Sequence, residues 1–187
     1  MSHISRVLYD HQVGVRAALA HLLELGHRDV GLILGAPVRP SRERRHALEA
    51  EWQAWGLPPT YRIVDAGEFG PEHGERAMAE LLDAPVRPTA IIVGANQMIP
   101  GALHAIGARG LELPTDLSLV SCDDIGITEF YRPPIAVVSR DNAAVGRAAA
   151  DLLLGRLQRD ETPRDVTLPT SFLPRGSCGP VPVRSGH

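Results

Sequence analysis

The residues best placed to do chemistry are two adjacent carboxylates, Asp123 and Asp124, which close the run Leu-Ser-Leu-Val-Ser-Cys at 117–122. The run is short and nearly all apolar, the pattern of a strand covered on both faces of a parallel sheet. Ligands of open α/β sheets lie just beyond the carboxyl ends of the strands. The pair can therefore face a ligand, hold a cation or work as acid and base; on spacing alone, two solvated loop acids are an equal alternative. Other strand ends carry further candidates: Arg44 beyond 30–34, Phe69 beyond 61–64, and Ala95 with Asn96 beyond 89–93. An arginine, an aromatic face, an amide and a carboxylate converging on one edge suit a polyhydroxylated ligand, with the ring stacking and the polar groups fixing hydroxyls. Phe69 can equally be a hydrophobic staple. Arg39, Arg42, Arg44 and Arg45 crowd the start of one helix. Cations there oppose the helix dipole at roughly 0.3 kcal/mol each or more, which hints at use, although a solvated face is the simpler reading of Arg39, Arg42 and Arg45.

The elements that must position these groups alternate along the chain. Val15, Ala18, Leu19, Leu22 and Leu23 form a core-facing helical stripe over 14–25, with Gly26 at the left-handed C-cap position. Strands are expected at 30–34, 61–64, 89–93, 117–124, 136–138 and 166–173. Helices are expected at 42–55, 71–82, 97–109 and from 142 onward, the last carrying Val145, Ala148, Ala149, Leu152 and Leu153 on one face. Pro71 suits a first helical position, and Pro100 must lie in a first turn. Residues 1–12 read as a lead-in with a strand fragment, and the Gly- and Pro-rich tail after Ser177 as disordered. Alternation of helix and strand implies a parallel sheet covered on both sides, a three-layer αβα architecture.

Composition narrows the function. The chain of 187 residues is 44% hydrophobic and 22% charged with a net charge of −3, ordinary for a globular protein and unlike a basic nucleic-acid surface. Two cysteines far apart suggest neither a disulfide framework nor a metal knuckle. No histidine or cysteine stands at ligand spacing near the two aspartates, and no Gly-rich phosphate loop is present, so no cofactor or metal is expected. His21 and His27 read as surface residues. No stretch approaches the roughly 20 apolar residues of a membrane span, and no secretory segment opens the chain; the expected compartment is the cytoplasm.

Several stretches together resemble the effector-binding part of LacI/GalR-family transcriptional regulators. They are Ala-His-Leu-Leu-Glu-Leu-Gly-His-Arg at 20–28, Ser-Arg-Glu-Arg at 41–44, Arg-Pro-Thr-Ala-Ile at 87–91, Gln97-Met98, Gly101-Ala102, Leu-Pro-Thr-Asp-Leu-Ser-Leu-Val at 113–120, Asp123-Asp124 and Pro133-Pro134. Each is weak alone; in this order, over about 9–178, they are specific. The resemblance implies a type I periplasmic-binding-protein-like fold, mostly its C-terminal subdomain (about 10–138 and 163–178). A remnant of the first subdomain would lie at about 1–9 and 140–162, and a disordered tail at 179–187. It implies that Arg44 and Asp123 hold a sugar or related small-molecule effector, with Phe69 stacking, Ala95 and Asn96 at the strand end, and Arg140 beside the hinge. The usual strand-end asparagine–aspartate pair reads Ala95-Asn96 here, so one effector contact differs. The helix-turn-helix head and most of the first subdomain would lie ahead of this chain, so the chain alone is expected not to bind operator DNA. The face of the 142–158 helix bearing Val145, Ala149 and Leu152 would then be exposed. A homodimer is implied through the 97–109 helix (Met98, Ala102) and the 126–132 segment, where Ile127, Phe130 and Tyr131 fit an interface on their own account. The other readings are a solute-binding protein of a sugar transporter, with the same fold, and, less favoured, an enzyme using the two aspartates.

Overall fold

The computed structural model describes residues 4–159 and 161–182. Along them run β1 (Arg6–Asp10), α1 (His11–Glu24), β2 (Val30–Leu34), α2 (Arg39–Ala54), β3 (Arg62–Asp65), α3 (Pro71–Leu82) and β4 (Ala90–Val93). A 3₁₀ turn (Asn96–Met98) then leads into α4 (Ile99–Ala108), β5 (Ser118–Cys122), α5 (Gly126–Phe130), β6 (Ala136–Ser139), α6 (Asn142–Arg159), β7 (Asp165–Pro169) and β8 (Ser171–Leu173).

Six strands form one sheet in the order β3-β2-β4-β5-β6-β8, all parallel except β8, which runs antiparallel to β6. Every residue of β2, β4 and β5 is buried, which is why these strands read as continuous apolar runs. The sheet is covered on both faces. Leu19, Leu22, Leu48 and Trp52 of α1 and α2 pack with Leu32, Leu34, Ile92 and Val120 on one side. Met78, Leu81, Ile99 and Ile106 of α3 and α4 pack with Ile33, Ile91, Val93 and Leu119 on the other. Successive strand residues thus divide between two cores, as the pleat requires.

Four sequence expectations are corrected. The run expected as one strand at 166–173 splits at Thr170: β7 pairs in parallel with β1 as a separate two-stranded ribbon, and only β8 joins the large sheet. The Thr170 hydroxyl donates to the Asp10 carbonyl at 2.8 Å and accepts from Gly14 N–H at 3.0 Å, which fixes the break. On α6, Leu152 is buried, with Val7 and Ala149 lining a cavity of about 370 Å³ beside it, whereas Ala149 is exposed as expected, Val145 is half-buried, and Leu153, Leu154 and Leu157 are exposed as well. His27, expected at the surface, is fully buried: Nδ1 meets Thr89 Oγ1 at 2.8 Å, and Nε2 lies 3.1 Å from Ser118 Oγ and 3.0 Å from the Gly179 carbonyl. That contact also orders the tail, because Gly179 N–H donates to Ser118 Oγ and Ser177 Oγ donates to the Leu119 carbonyl. Disorder from 179 is thus not what the chain shows there, and residues 183–187 lie outside the described residues. Smaller shifts concern ends: α2 begins at Arg39, with Pro40 in its first turn.

Met98 and Ala102, assigned to a dimer interface by resemblance, are fully buried in the core between α3 and α4. The two helices meet at glycines. A Cβ on Gly101 would lie 1.7 Å from the Pro71 carbonyl, and one on Gly74 would lie 2.1 Å from the Met98 carbonyl. Gly107, on the exposed side of α4, has nothing within 4 Å. In urea denaturation Gly101→Ala is expected to lower stability by about 1–3 kcal/mol through overpacking, while Gly107→Ala raises it by roughly 0.5–1 kcal/mol.

Candidate functional site

The carboxyl ends of β1, β4, β5 and β6 meet at one edge and bring together Tyr9, His11, Asn96, Asp123, Arg140 and Asn142, with Arg44 reaching in from α2. Asp123 directly follows β5 with a backbone φ of 97°, a left-handed conformation rare outside glycine. Its N–H donates to the Val138 carbonyl at 2.9 Å and its carbonyl accepts from Ser121 Oγ at 3.2 Å. These bonds hold the turn, and its carboxylate meets Arg140 Nε at 2.8 Å. Burial pushes the Asp123 carboxyl above its ordinary pKa, against the opposing pull of Arg140 and Arg44.

Asp124 goes the other way. Arg175 grips both its oxygens, at 2.9 and 2.7 Å, and Thr128 Oγ1 donates to it at 2.9 Å. The Arg175 hydrogen bond, with lesser help from Thr128, holds its pKa below the ordinary range. One acid of the pair is thus turned to the edge and the other fastens the chain's end. Asn96, Asp123, Asp124, Ile125, Arg140 and Asn142 line a cavity of about 140 Å³, so both acids border it, Asp123 beside Arg140 and Asp124 held by Arg175.

Arg44 is only 5% exposed. Its Nη1 donates to the Gly94 carbonyl at 2.5 Å, its Nη2 lies 3.4 Å from His11 Nδ1, and its Nε is buried with no hydrogen-bond partner. Ala95 is buried behind it. Phe69 is half-buried and laid against Gly35, where a Cβ would come within 2.3 Å of the ring. The glycine is what lets the ring sit at the end of β2. Arg140 also lies 5.4 Å from the Tyr9 ring centroid, and Tyr9 Oη donates to the Asp141 carbonyl at 3.1 Å.

Tyr9, His11 and Asn142 were not legible as site residues. The one available signal was Asp10, which caps α1 by accepting from Gln12 N–H at 2.8 Å and so starts the helix at His11. Ile127, Phe130 and Tyr131 do not belong to this edge: they lie on or just after α5, with Phe130 72% exposed and Tyr131 packed partly into the core. Among the described residues no group of three histidine, cysteine, aspartate or glutamate side chains could hold a metal.

With this geometry in place, the comparisons with known proteins fall into line. The profile of the periplasmic binding protein-like domain matches residues 19–178. The chain is 32% identical over 161 residues to the HTH-type transcriptional repressor PurR of Actinobacillus pleuropneumoniae serotype 3 (strain JL03), covering 86% of this chain and 48% of that protein. The structure of a LacI transcriptional regulator from a Rhodococcus species is similar with a TM-score of 0.86 and 28% identity, over 93% of this chain and 64% of that one. The dimeric Lac repressor with an 11-residue C-terminal deletion gives 0.85 and 26%, over 96% and 65%. The chain spans about half the length of the curated relatives it matches.

The edge has a titration signature. Burial, then Arg44, Arg140 and Arg39, push His11 down to about 4, and burial also lowers His27. Both histidines resist protons that the unfolded chain accepts below about pH 6.5. Stability should therefore be full above that pH and fall as pH drops toward 4, with His11 contributing on the order of 3 kcal/mol at most. Asp123, with its raised pKa, works weakly in the opposite sense. Urea midpoints at pH 7 and pH 4.5 are expected to differ less in His11→Gln than in the parent chain.

Proposed function

Because the chain belongs to the periplasmic binding protein-like domain family and is homologous to the PurR and LacI repressors, we propose that it is the ligand-sensing part of a LacI-type transcriptional regulator. The observation that carries this reading is the strand-end edge itself. Asp123 is held by a left-handed backbone against Arg140, beside Arg44 with a buried Nε that lacks an acceptor. Buried polar groups are ordinarily paired, so an edge with an unused donor and a preset acceptor suits a small hydroxyl-rich ligand such as a sugar. Phe69 at the end of β2 supplies an apolar ring face nearby.

Signalling in this reading is a coupling between sites and not a reaction. The relatives are regulators, and both aspartates are occupied by guanidinium groups, which supports a non-enzymatic role. Tyr9 belongs to β1 of the ribbon, Asn142 is the first residue of α6, and Arg140 lies in the segment that joins β6 of the large sheet to α6. A ligand touching them biases how ribbon and sheet sit together. We assign operator recognition to a helix-turn-helix head outside residues 1–187, and the working compartment to the cytoplasm. The described residues contain no helix long and apolar enough to cross a membrane.

Calorimetric titration with a panel of monosaccharides tests the assignment. Asp123→Ala is expected to weaken binding at least about tenfold, the loss of a hydrogen bond to a charged group, and Asp124→Ala much less. Equal losses would reject Asp123 as the ligand-facing acid.

Dimerisation is proposed through α5, with Ile127 and Phe130 at its centre and Met98 and Ala102 excluded by their burial. Sedimentation should show Phe130→Asp shifting a dimer toward monomer; an unchanged dimer would place the interface elsewhere.

A further inference from the structure

Four arginines gather at the start of α2, where the helix dipole is already positive. Arg39 pairs with Glu43 at 2.5 Å, and Arg45 Nη2 binds both oxygens of Asp65 at 2.7 and 2.6 Å. Arg42 and Arg44 spend their hydrogen bonds on main-chain carbonyls and the His11 ring, Arg42 Nη1 on Pro37 at 2.6 Å and Arg44 on Gly94. Two carboxylates thus face four guanidinium groups at the positive end of a 16-residue helix. That end has no side-chain cap, since Val38 occupies the N-cap position, and the amides of Arg39 and Ser41 precede the first intrahelical hydrogen bond, Arg42 N–H to the Val38 carbonyl.

A second and independent observation lies in the same turn. Ser41 is 4% exposed, and its Oγ is buried with no hydrogen-bond partner. The carbonyl four residues back, the usual acceptor for a helical serine, is Pro37, already taken by Arg42. Ser41 instead lines a cavity of about 310 Å³ at the ends of β2 and β3, walled also by Gly35, Pro37, Arg42 and Arg45. Asp65 is on that wall too, but its charge is engaged by Arg45.

We propose that this cavity is an oxyanion subsite, in which the first turn of α2 receives a carboxylate or phosphoryl group through Ser41 Oγ, the free amides of Arg39 and Ser41, and the Arg42 guanidinium. Resting on the ligand-sensing reading above, it specifies the ligand class: an acidic or phosphorylated metabolite whose anionic end lies at α2 and whose hydroxyls reach the Asp123 edge. The arrangement uses the recurrent capacity of helix N-termini for anions. It also accounts for an arginine cluster that is unfavourable for the helix by itself.

The test is amide NMR on the ¹⁵N-labelled chain. Titration with inorganic phosphate should give saturable shifts at the Arg39 and Ser41 amides. Ser41→Ala and Arg42→Gln should each weaken that response about tenfold, the effect of losing one hydrogen bond to a charged group. Ser41→Ala removes an unsatisfied hydroxyl and keeps the fold intact. Shifts that fail to saturate, that spread over all exposed arginines, or that are unchanged in both variants would overturn the subsite. Acetate as competitor separates the two sources: displacement of phosphate assigns a carboxylate, and no displacement assigns a phosphoryl group. Neutral monosaccharides are read in parallel at Asn96 and Asn142. Silence there with a saturable phosphate response removes the sugar reading and leaves the subsite standing, and the reverse result removes the subsite alone.

Discussion

In a parallel sheet every strand must be carried back to its starting edge before the next can begin. That constraint organises the whole molecule. The returns are helices, so both faces of β2, β4 and β5 are covered and their side chains are almost all apolar. Polar groups are driven to the strand ends, and because the strands share a direction, the ends of one kind share an edge. At the amino ends the chain satisfies itself: His27 bridges Thr89, Ser118 and Gly179 in a closed network. At the carboxyl ends pairing is less complete: among the described residues the two buried side-chain polar atoms without hydrogen-bond partners, Ser41 Oγ and Arg44 Nε, both lie on α2 near that edge. The two edges of the sheet thus differ in how far their polar groups are paired within the chain.

The aspartate pair shows how local backbone decides chemistry between neighbours of the same type. The left-handed turn at Asp123 separates it from Asp124, so that one carboxylate meets Arg140 and the other Arg175. The first is desolvated and its pKa rises; the second is gripped and its pKa falls. A mostly buried ion pair such as Asp123–Arg140 adds little net stability once desolvation is counted. Its effect is orientation: it fixes where one acceptor and one donor stand at the strand-end edge.

Much of the fold was legible. The buried strands stood out because covered strands need no polar alternation, and α3 because Pro71 and Glu72 mark its first turn while Ala77, Met78, Leu81 and Leu82 mark its buried stripe. The break at Thr170 was invisible, since 166–173 has continuous strand composition and only a long-range hydrogen bond to Asp10 divides it. His27 misled because burial of a histidine depends on partners 62, 91 and 152 residues away in sequence. Met98 and Ala102 were placed at an interface by resemblance alone, and they are buried within the chain; the local signal was Gly74 with Gly101, which lets two helices approach more closely than side chains would permit. At the site, Arg44 and Asp123 could be placed from strand-end logic, while Tyr9, His11 and Asn142 come from segments whose fold depends on pairing between β1 and β7.

Thr170 also governs how the molecule can deform. It is the single residue between β7 in the ribbon and β8 in the large sheet, and its hydroxyl ties the start of α1 to the end of β1. A joint one residue long has a reach of only about 3.5 Å, so the ribbon has no slack with which to slide along the sheet. Tyr9 stands one residue from that joint, and its hydroxyl meets Asp141 and Asn142 at the start of α6, so the ribbon, the helix and the large sheet are tied together within a few residues of one point.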